Sequence, residues 1–423
     1  MHTATRSLLA LTISNGIGQI VGLAGGVLLA ALFTPADFGR FSLFANVLGI
    51  CILVGTLRCD QYLMIGELAG EGAPRRELAL GASATLVTTA VLCVAVGLAA
   101  LAAGWWTAWQ GAVAVLAAVP AACLAGCLGN LAVAAFMRVD RVGRVALVAN
   151  ARIVATLALQ LALLPLIGGW ALIAGATLGL MVALALALPG SGLVDAVRGR
   201  AADAPPRRRL RDLAGHLRLS GQVLLTESSA MIVGSIILAS HGAAVAGVYY
   251  LAFRFLQVPL NLTYTPLRQA LVVALREDRR EQVEGAWVWL RRLPRGVRAA
   301  FATVLVGYAL VFLLGGWAGR LLAGTAWVDA GEYGRWIAMY LFSSIATIPA
   351  HAVLMRMDRT GIILGFSVAS LVARVIAVLL GAQVSAEATV AGFGLASAAT
   401  GAVFLVVALR VYHRHHRAAE GAA

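Results

Sequence analysis

The sequence contains no lysine. All 33 basic residues are arginine, set against 19 acids, for a formal charge of +14. Without lysine there is no P-loop lysine and no Schiff-base nucleophile, so the chain carries no Walker-type ATPase site of its own. Charge of either sign is scarce: only 12% of the 423 residues are charged, against about 25% in a soluble domain. Hydrophobic residues reach 61%, which excludes a soluble globular protein, a disordered chain and a disulfide scaffold. The alternating segments of about 10 residues that build outer-membrane barrels are also missing. Cysteine is sparse, and Cys51, Cys59, Cys93, Cys123 and Cys127 all fall inside apolar segments with no C-x-x-C spacing. They read as small apolar packing residues. Gly16-Ile17-Gly18 is no dinucleotide fingerprint, because no strand precedes it and the spacing fails. No metal and no cofactor is expected.

What the chain has in abundance is long apolar runs. A hydrocarbon core about 30 Å thick needs roughly 20 helical residues. On that measure there are twelve spans, at 8–33, 41–66, 79–103, 110–136, 145–167, 170–188, 219–240, 246–273, 298–318, 334–355, 361–381 and 388–411. The expected fold class is all-α: a polytopic membrane protein of twelve transmembrane helices in two six-helix bundles. The first run is longer than the roughly 7–15 residues of a signal-peptide core, so it reads as an uncleaved span.

The connections sort by charge. Alternate connections and both ends hold 25 arginines, among them Arg75, Arg76, Arg138, Arg207, Arg291 and Arg414, whereas the opposite connections hold only Arg40, Arg320 and Arg335. Arginine-rich connections lie on the cytoplasmic side, which places both termini in the cytoplasm and makes nucleic acid an unneeded explanation of the charge. Trp105, Trp106, Trp109, Trp170, Trp317, Trp327 and Trp336 gather at the other ends, as an aromatic belt at headgroup level does. The connections on that side have about fifteen residues or fewer, too few for an external catalytic domain. The basic tail with His413, His415 and His416 is expected to meet anionic membrane lipids rather than metal.

The longest connection divides the chain into an N-terminal bundle (1–200), a linker with a short interfacial helix (201–218) and a C-terminal bundle with the basic tail (219–423). The two halves share a weak match. Gly39-Arg40-Phe41-Ser42-Leu43 opens the second span of one, and Gly247-Val248-Tyr249-Tyr250-Leu251 opens the second span of the other. Two six-span halves have the same orientation, as in parallel-repeat transporters.

Five arginines remain inside spans: Arg58, Arg152, Arg254, Arg268 and Arg374. Each costs about 2.5–3.5 kcal/mol at a helix centre on insertion scales. Arg268 is close enough to its span end to snorkel. The other four lie about 10–12 Å in, and either snorkel or line a wet cavity. The clear acids inside spans are Asp60 and Glu227, so the interior is net positive. Guanidinium forks bind phosphate oxygens bidentately, and a cavity lined by these arginines suits an anionic cargo such as a pyrophosphate. Asp60 either pairs with Arg58 or shares an ion-coupling role with Glu227. Pro259 and Pro266 are expected to break span eight near the site, and Pro120 and Pro349 to break spans four and ten. Gly18, Gly22 and Gly26 form a double G-x-x-x-G, a signal of close helix packing.

Three stretches carry a family resemblance: Thr34-Pro35-Ala36-Asp37-Phe38-Gly39-Arg40-Phe41, Thr56-Leu57-Arg58-Cys59-Asp60 and Ala246-Gly247-Val248-Tyr249-Tyr250-Leu251-Ala252-Phe253-Arg254. With the twelve-span layout, they resemble the Wzx-type polysaccharide repeat-unit flippases of the multidrug/oligosaccharidyl-lipid/polysaccharide (MOP) exporter superfamily, which have a MATE-like fold. The first stretch looks like that family's turn after span one. The resemblance implies a non-enzymatic transporter in the bacterial inner membrane. It would move an undecaprenyl-diphosphate-linked oligosaccharide to the periplasmic leaflet by alternating access, coupled to H+ or Na+. Partners implied are a polysaccharide polymerase and a chain-length regulator. By the motifs, Arg58 and Arg254 become the leading cargo-binding residues. Many relatives carry an Asp-Arg pair in span seven, and this chain has only Glu227 there, which leaves the coupling ion open. Rival readings are a drug/cation antiporter, which would want an acidic cavity, a lipid II flippase, which has further spans, and a membrane polysaccharide polymerase or ligase, which would want larger outer loops.

Overall fold

The computed structural model describes residues 2–65, 73–103, 110–139, 141–198, 231–262, 295–321, 325–357 and 359–420. Every regular element among them is helical. The chain separates into two compact units, Met1–Met231 and Ile232–Ala423. The linker expected at 201–218 lies outside the described residues.

The first unit contains α1 (His2–Leu32), α2 (Pro35–Gly55), α3 (Cys59–Ile65), α4 (Ala73–Ala103), α5 (Gln110–Leu116), α6 (Val119–Arg138), α7 (Val142–Ile167), α8 (Ala171–Ala187) and α9 (Leu193–Arg198). The second contains the helical stretch α10 (231–262), then α11 (Arg295–Arg320), α12 (Ala330–Ala346), α13 (Ile348–Arg356), α14 (Thr360–Ala382) and α15 (Ala386–Glu420).

Eight helical stretches among the described residues are long and apolar enough to cross a membrane. One of them, Val142–Ala187, is 46 residues long, far more than a single crossing needs. It folds back at Gly168, whose φ of +56° only glycine adopts readily. Beyond that turn α8 runs along α7, with Gly175 against Gln160 and Gly179 against Thr156. The stretch is therefore two spans. In Met231–Leu262, Gly242 at φ +84° interrupts the helical dihedrals between expected spans seven and eight. The remaining two expected spans are α1 and the broken pair α12–α13.

The start of α2 corrects the expected turn after span one. Thr34 is the N-cap and Pro35 the first helical residue, so the motif opens the helix itself. The Thr34 hydroxyl accepts from the Asp37 N–H at 3.3 Å, and the Asp37 carboxylate accepts from the Thr34 N–H at 3.1 Å, a reciprocal capping box.

Helix packing follows the small residues, though not in the expected register. A Cβ on Gly18 would stand 2.9 Å from Asn150 and Ile153 of α7, and one on Gly25 2.9 Å from Leu157. Gly22 has nothing within 4 Å. The α1–α7 seam therefore uses Gly18 and Gly25, seven residues apart, in place of the G-x-x-x-G row. Gly315 and Gly331 bring α11 and α12 into a similar close approach.

Spans two, four and ten are each built from two helices. The breaks in four and ten precede Val119-Pro120 and Ile348-Pro349, where the missing proline N–H and the bulky ring favour a fresh helix start. They fall in the fourth span of each half. Span eight departs from expectation: the helix runs through Pro259 to Leu262 without a break. Four residues before Leu260, the Leu256 carbonyl accepts a hydrogen bond from the Tyr308 hydroxyl at 2.7 Å. The contact ties α11 to α10 one residue beyond the Phe255 carbonyl, the one that Pro259 leaves without its N–H donor. Pro266 lies outside the described residues.

Candidate functional site

The break in span two forms the most unusual site among the described residues. After Gly55 the chain leaves α2, and two consecutive residues, Leu57 (φ 47°) and Arg58 (φ 57°), take left-handed backbone conformations before α3 begins at Cys59. They are the only non-glycine residues with positive φ among those described. Such a conformation costs about 1–3 kcal/mol per residue and persists only where its surroundings over-determine it.

The surroundings do so here. The Leu57 N–H donates to the Val54 carbonyl at 3.0 Å, and the Cys59 N–H donates to the Thr56 carbonyl at 2.9 Å. The Thr85 hydroxyl of α4 reaches the Gly55 carbonyl at 3.3 Å. A Cβ on Gly55 would stand 2.8 Å from Cys127 Sγ, so α6 presses directly on the break. Cys59 and Leu63 of α3 are buried among Leu78, Ala82, Leu131, Ala134, Leu193 and Ala196.

Arg58 therefore sits at a fixed kink between α2 and α3. Its side chain is half-buried, and its Nε is buried with no hydrogen-bond partner. A buried guanidinium N–H without an acceptor is costly, unless an acceptor arrives with a ligand. Asp60 does not supply that acceptor. Its carboxylate takes a hydrogen bond from the Thr56 hydroxyl at 3.1 Å, and no ion pair joins it to Arg58. The pairing that two-residue spacing suggested is prevented by the left-handed turn, which separates Arg58 from the first turn of α3.

The other sequence candidates are distributed over both units. Arg152 is exposed on α7 in the first unit. Arg254 is exposed on α10 in the second. Arg374 on α14 is half-buried, with its guanidinium carbon 5.1 Å from the Tyr340 ring centre and 5.9 Å from that of Phe393. Those rings continue into a cluster: Tyr340 lies 4.6 Å from Phe393 and 6.0 Å from Phe253, which is 5.9 Å from Tyr249. The Tyr249 hydroxyl is buried there without a partner. Glu227, Pro266 and Arg268 lie outside the described residues, as do Trp105, Trp106 and Trp109.

Two chemically notable groups escaped the sequence reading. Helix α4 begins at Ala73, six residues before the expected span, and so carries Glu77 into the bundle, within hydrogen-bonding reach of the Cys59 thiol. The Arg75-Arg76 pair beside it had marked the segment as a loop. His351, in the span broken at Thr347, donates from Nδ1 to the Thr347 carbonyl, 3.0 Å away. A single histidine in an apolar run carries no spacing signal.

The cysteines are all free thiols, three buried, Cys51 half-buried and Cys93 exposed. No group of three or more metal-ligating side chains occurs among the described residues.

No protein-family model matches the chain, and no curated protein matches it. Solved structures do. A lipid II flippase, MurJ, in an inward closed conformation superposes with a TM-score of 0.73 at 12% identity, over 95% of this chain and 87% of that one. An inward-facing multidrug resistance MATE family transporter of the MOP superfamily gives 0.70 at 15% identity, over 94% and 96%. An outward-facing MATE family transporter of the same superfamily gives 0.58 at 14% identity, over 97% and 96%. The chain is thus a multi-pass helical membrane protein that shares the fold of these transporters.

Proposed function

We propose that the protein is a flippase for an undecaprenyl-diphosphate-linked oligosaccharide, carrying it from the cytoplasmic to the periplasmic leaflet of the bacterial inner membrane by alternating access. The observation that carries this reading is Arg58: a cation fixed at a kinked helix inside the membrane, with a buried N–H awaiting an acceptor. A diphosphate supplies such acceptors, and binds a guanidinium fork in two parallel hydrogen bonds. Arg254 and Arg152 are further cationic contacts for the cargo along its path. Arg374 holds its bundle together through the Tyr340 and Phe393 rings and touches the cargo least. Transport draws on an H+ or Na+ gradient, since the chain has no lysine for a nucleotide site of its own. A polysaccharide polymerase and a chain-length regulator act on the product. Both termini face the cytoplasm.

The same fold houses multidrug transporters. A cavity for organic cations is best lined by acids, and the interior arginines disfavour that reading.

The test is reconstitution into phosphatidylethanolamine/phosphatidylglycerol vesicles with a fluorescent undecaprenyl diphosphate as probe, and an impermeant quencher to read its leaflet. Wild-type protein should equilibrate the probe between leaflets, and Arg58→Ala combined with Arg254→Ala should not, at equal protein insertion. Equal rates in the two would remove the cationic path.

A further inference from the structure

We infer that His351 is the proton-carrying group of transport, binding and releasing the coupling proton at Nε2; this rests on the transport reading above. His351 lies in α13, four residues past the break at Thr347 and five before Arg356, which the sequence places at the cytoplasmic end of span ten. It is half-buried, and its helix neighbours Ala350 and Leu354 belong to an apolar cluster with Ile363 and Phe404. An ionisable side chain inside a span is expensive, and where it occurs it marks a pathway or a relay.

The geometry fixes what this imidazole does. A carbonyl oxygen only accepts, so the 3.0 Å contact between Nδ1 and the Thr347 carbonyl requires the proton on Nδ1. The neutral ring then has its lone pair at Nε2, and the charge changes there and nowhere else. The contact also ties the ring to the helix break. Thr347 additionally sends its hydroxyl to the Ser343 carbonyl at 3.1 Å, so the ring reports directly on the end of α12.

Two aromatic faces flank the ring: Phe404 of α15 at 4.4 Å between ring centres, and Phe366 of α14 at 6.0 Å. Such faces accommodate an imidazolium by cation–π attraction. The titratable and charged groups within about two helical turns of these contacts, on the elements packed against α13, are Tyr340 on α12, Arg359 and Arg374 on α14, and Arg410 and Tyr412 on α15. No carboxylate stands among them in the described residues. A positive charge on His351 changes the charge balance of the bundle when it comes and goes. The reaction is a proton binding to the Nε2 lone pair on one side of the membrane and leaving it on the other, with Nδ1–H kept throughout.

The experiment uses the full chain in the vesicles described above, with fluorescent undecaprenyl diphosphate and an imposed pH gradient. His351→Asn retains an amide donor for the Thr347 carbonyl but cannot titrate. It should still move the probe, with the acceleration by the pH gradient lost, and Glu227→Gln should keep that acceleration. A second readout is infrared difference spectroscopy of the wild type between about pH 5.5 and 8, across the range in which histidine titrates. It should show an imidazole band absent from His351→Asn and from His351→Gln. Movement by wild type with an undiminished gradient response in His351→Asn would overturn this inference, and so would an infrared difference unchanged by both substitutions. If the wild type moves no probe, the transport reading itself fails, and the infrared band still tells whether His351 titrates.

Discussion

Arg58 and Arg374 are the same residue type, and the two units treat them differently. In the second unit the Arg374 guanidinium rests over Tyr340 and Phe393, so its charge is met by ring faces of its own bundle. In the first unit Arg58 is held at a strained left-handed kink. The Nε of both arginines is buried without a hydrogen-bond partner, so it is the backbone and the ring faces that set them apart. One arginine sits on a regular helix against ring faces, and the other is presented, at a cost, on a strained backbone. Binding sites store that kind of cost, because the ligand relieves it. Intramembrane arginine is therefore not one functional class, and its backbone and neighbours decide which kind it is.

Substitutions can break or sharpen that contrast. The largest effect should come from Gly55→Leu, which drives a side chain into Cys127 Sγ, 2.8 Å from the position of its Cβ. Overpacking of this kind costs about 1–3 kcal/mol, so the variant should melt earlier in detergent and also lose probe movement, because the kink shifts. Next comes Arg374→Leu. Removing a cation from two ring faces should lower thermal stability by about 0.5–2 kcal/mol while leaving probe movement largely intact. A full loss of movement at normal stability would put Arg374 on the cargo path with Arg58 and erase the distinction. The smallest effect should be Leu57→Gly. Glycine takes positive φ without penalty, and the gain net of its greater unfolded-state freedom is about 0.5–1 kcal/mol. A higher melting temperature is the expected outcome, and a lower one would mean that Leu57 is not strained.

The sequence made the helical membrane class legible, because it is written in long apolar runs. Pro120 and Pro349 announced their breaks, since proline alone dictates a helix start. The break that matters most was not announced. Residues 56–58 contain neither glycine nor proline, and the kink is imposed from outside by Thr85 and Cys127, which are distant in sequence. Pro259 departs in the opposite direction, because the helix runs through it to Leu262. The expected third span begins at 79, after the Arg75-Arg76 pair, whereas α4 already begins at Ala73 and so includes Glu77. Arg58 was singled out from the sequence, and the structure places it at the break between α2 and α3. Its isolation from Asp60 depends on backbone dihedrals that spacing cannot reveal.

The most direct measurement is the affinity of the full-length protein for undecaprenyl diphosphate in the wild type, Arg58→Lys and Arg58→Ala. If the kinked arginine receives the diphosphate, Arg58→Ala should lose about 1.5–3 kcal/mol, the worth of a charge-assisted hydrogen bond, and Arg58→Lys should recover only part, since it keeps the charge and loses the fork. Equal affinity in all three proteins would contradict the account, and would leave the strain at Leu57–Arg58 serving the fold rather than the cargo.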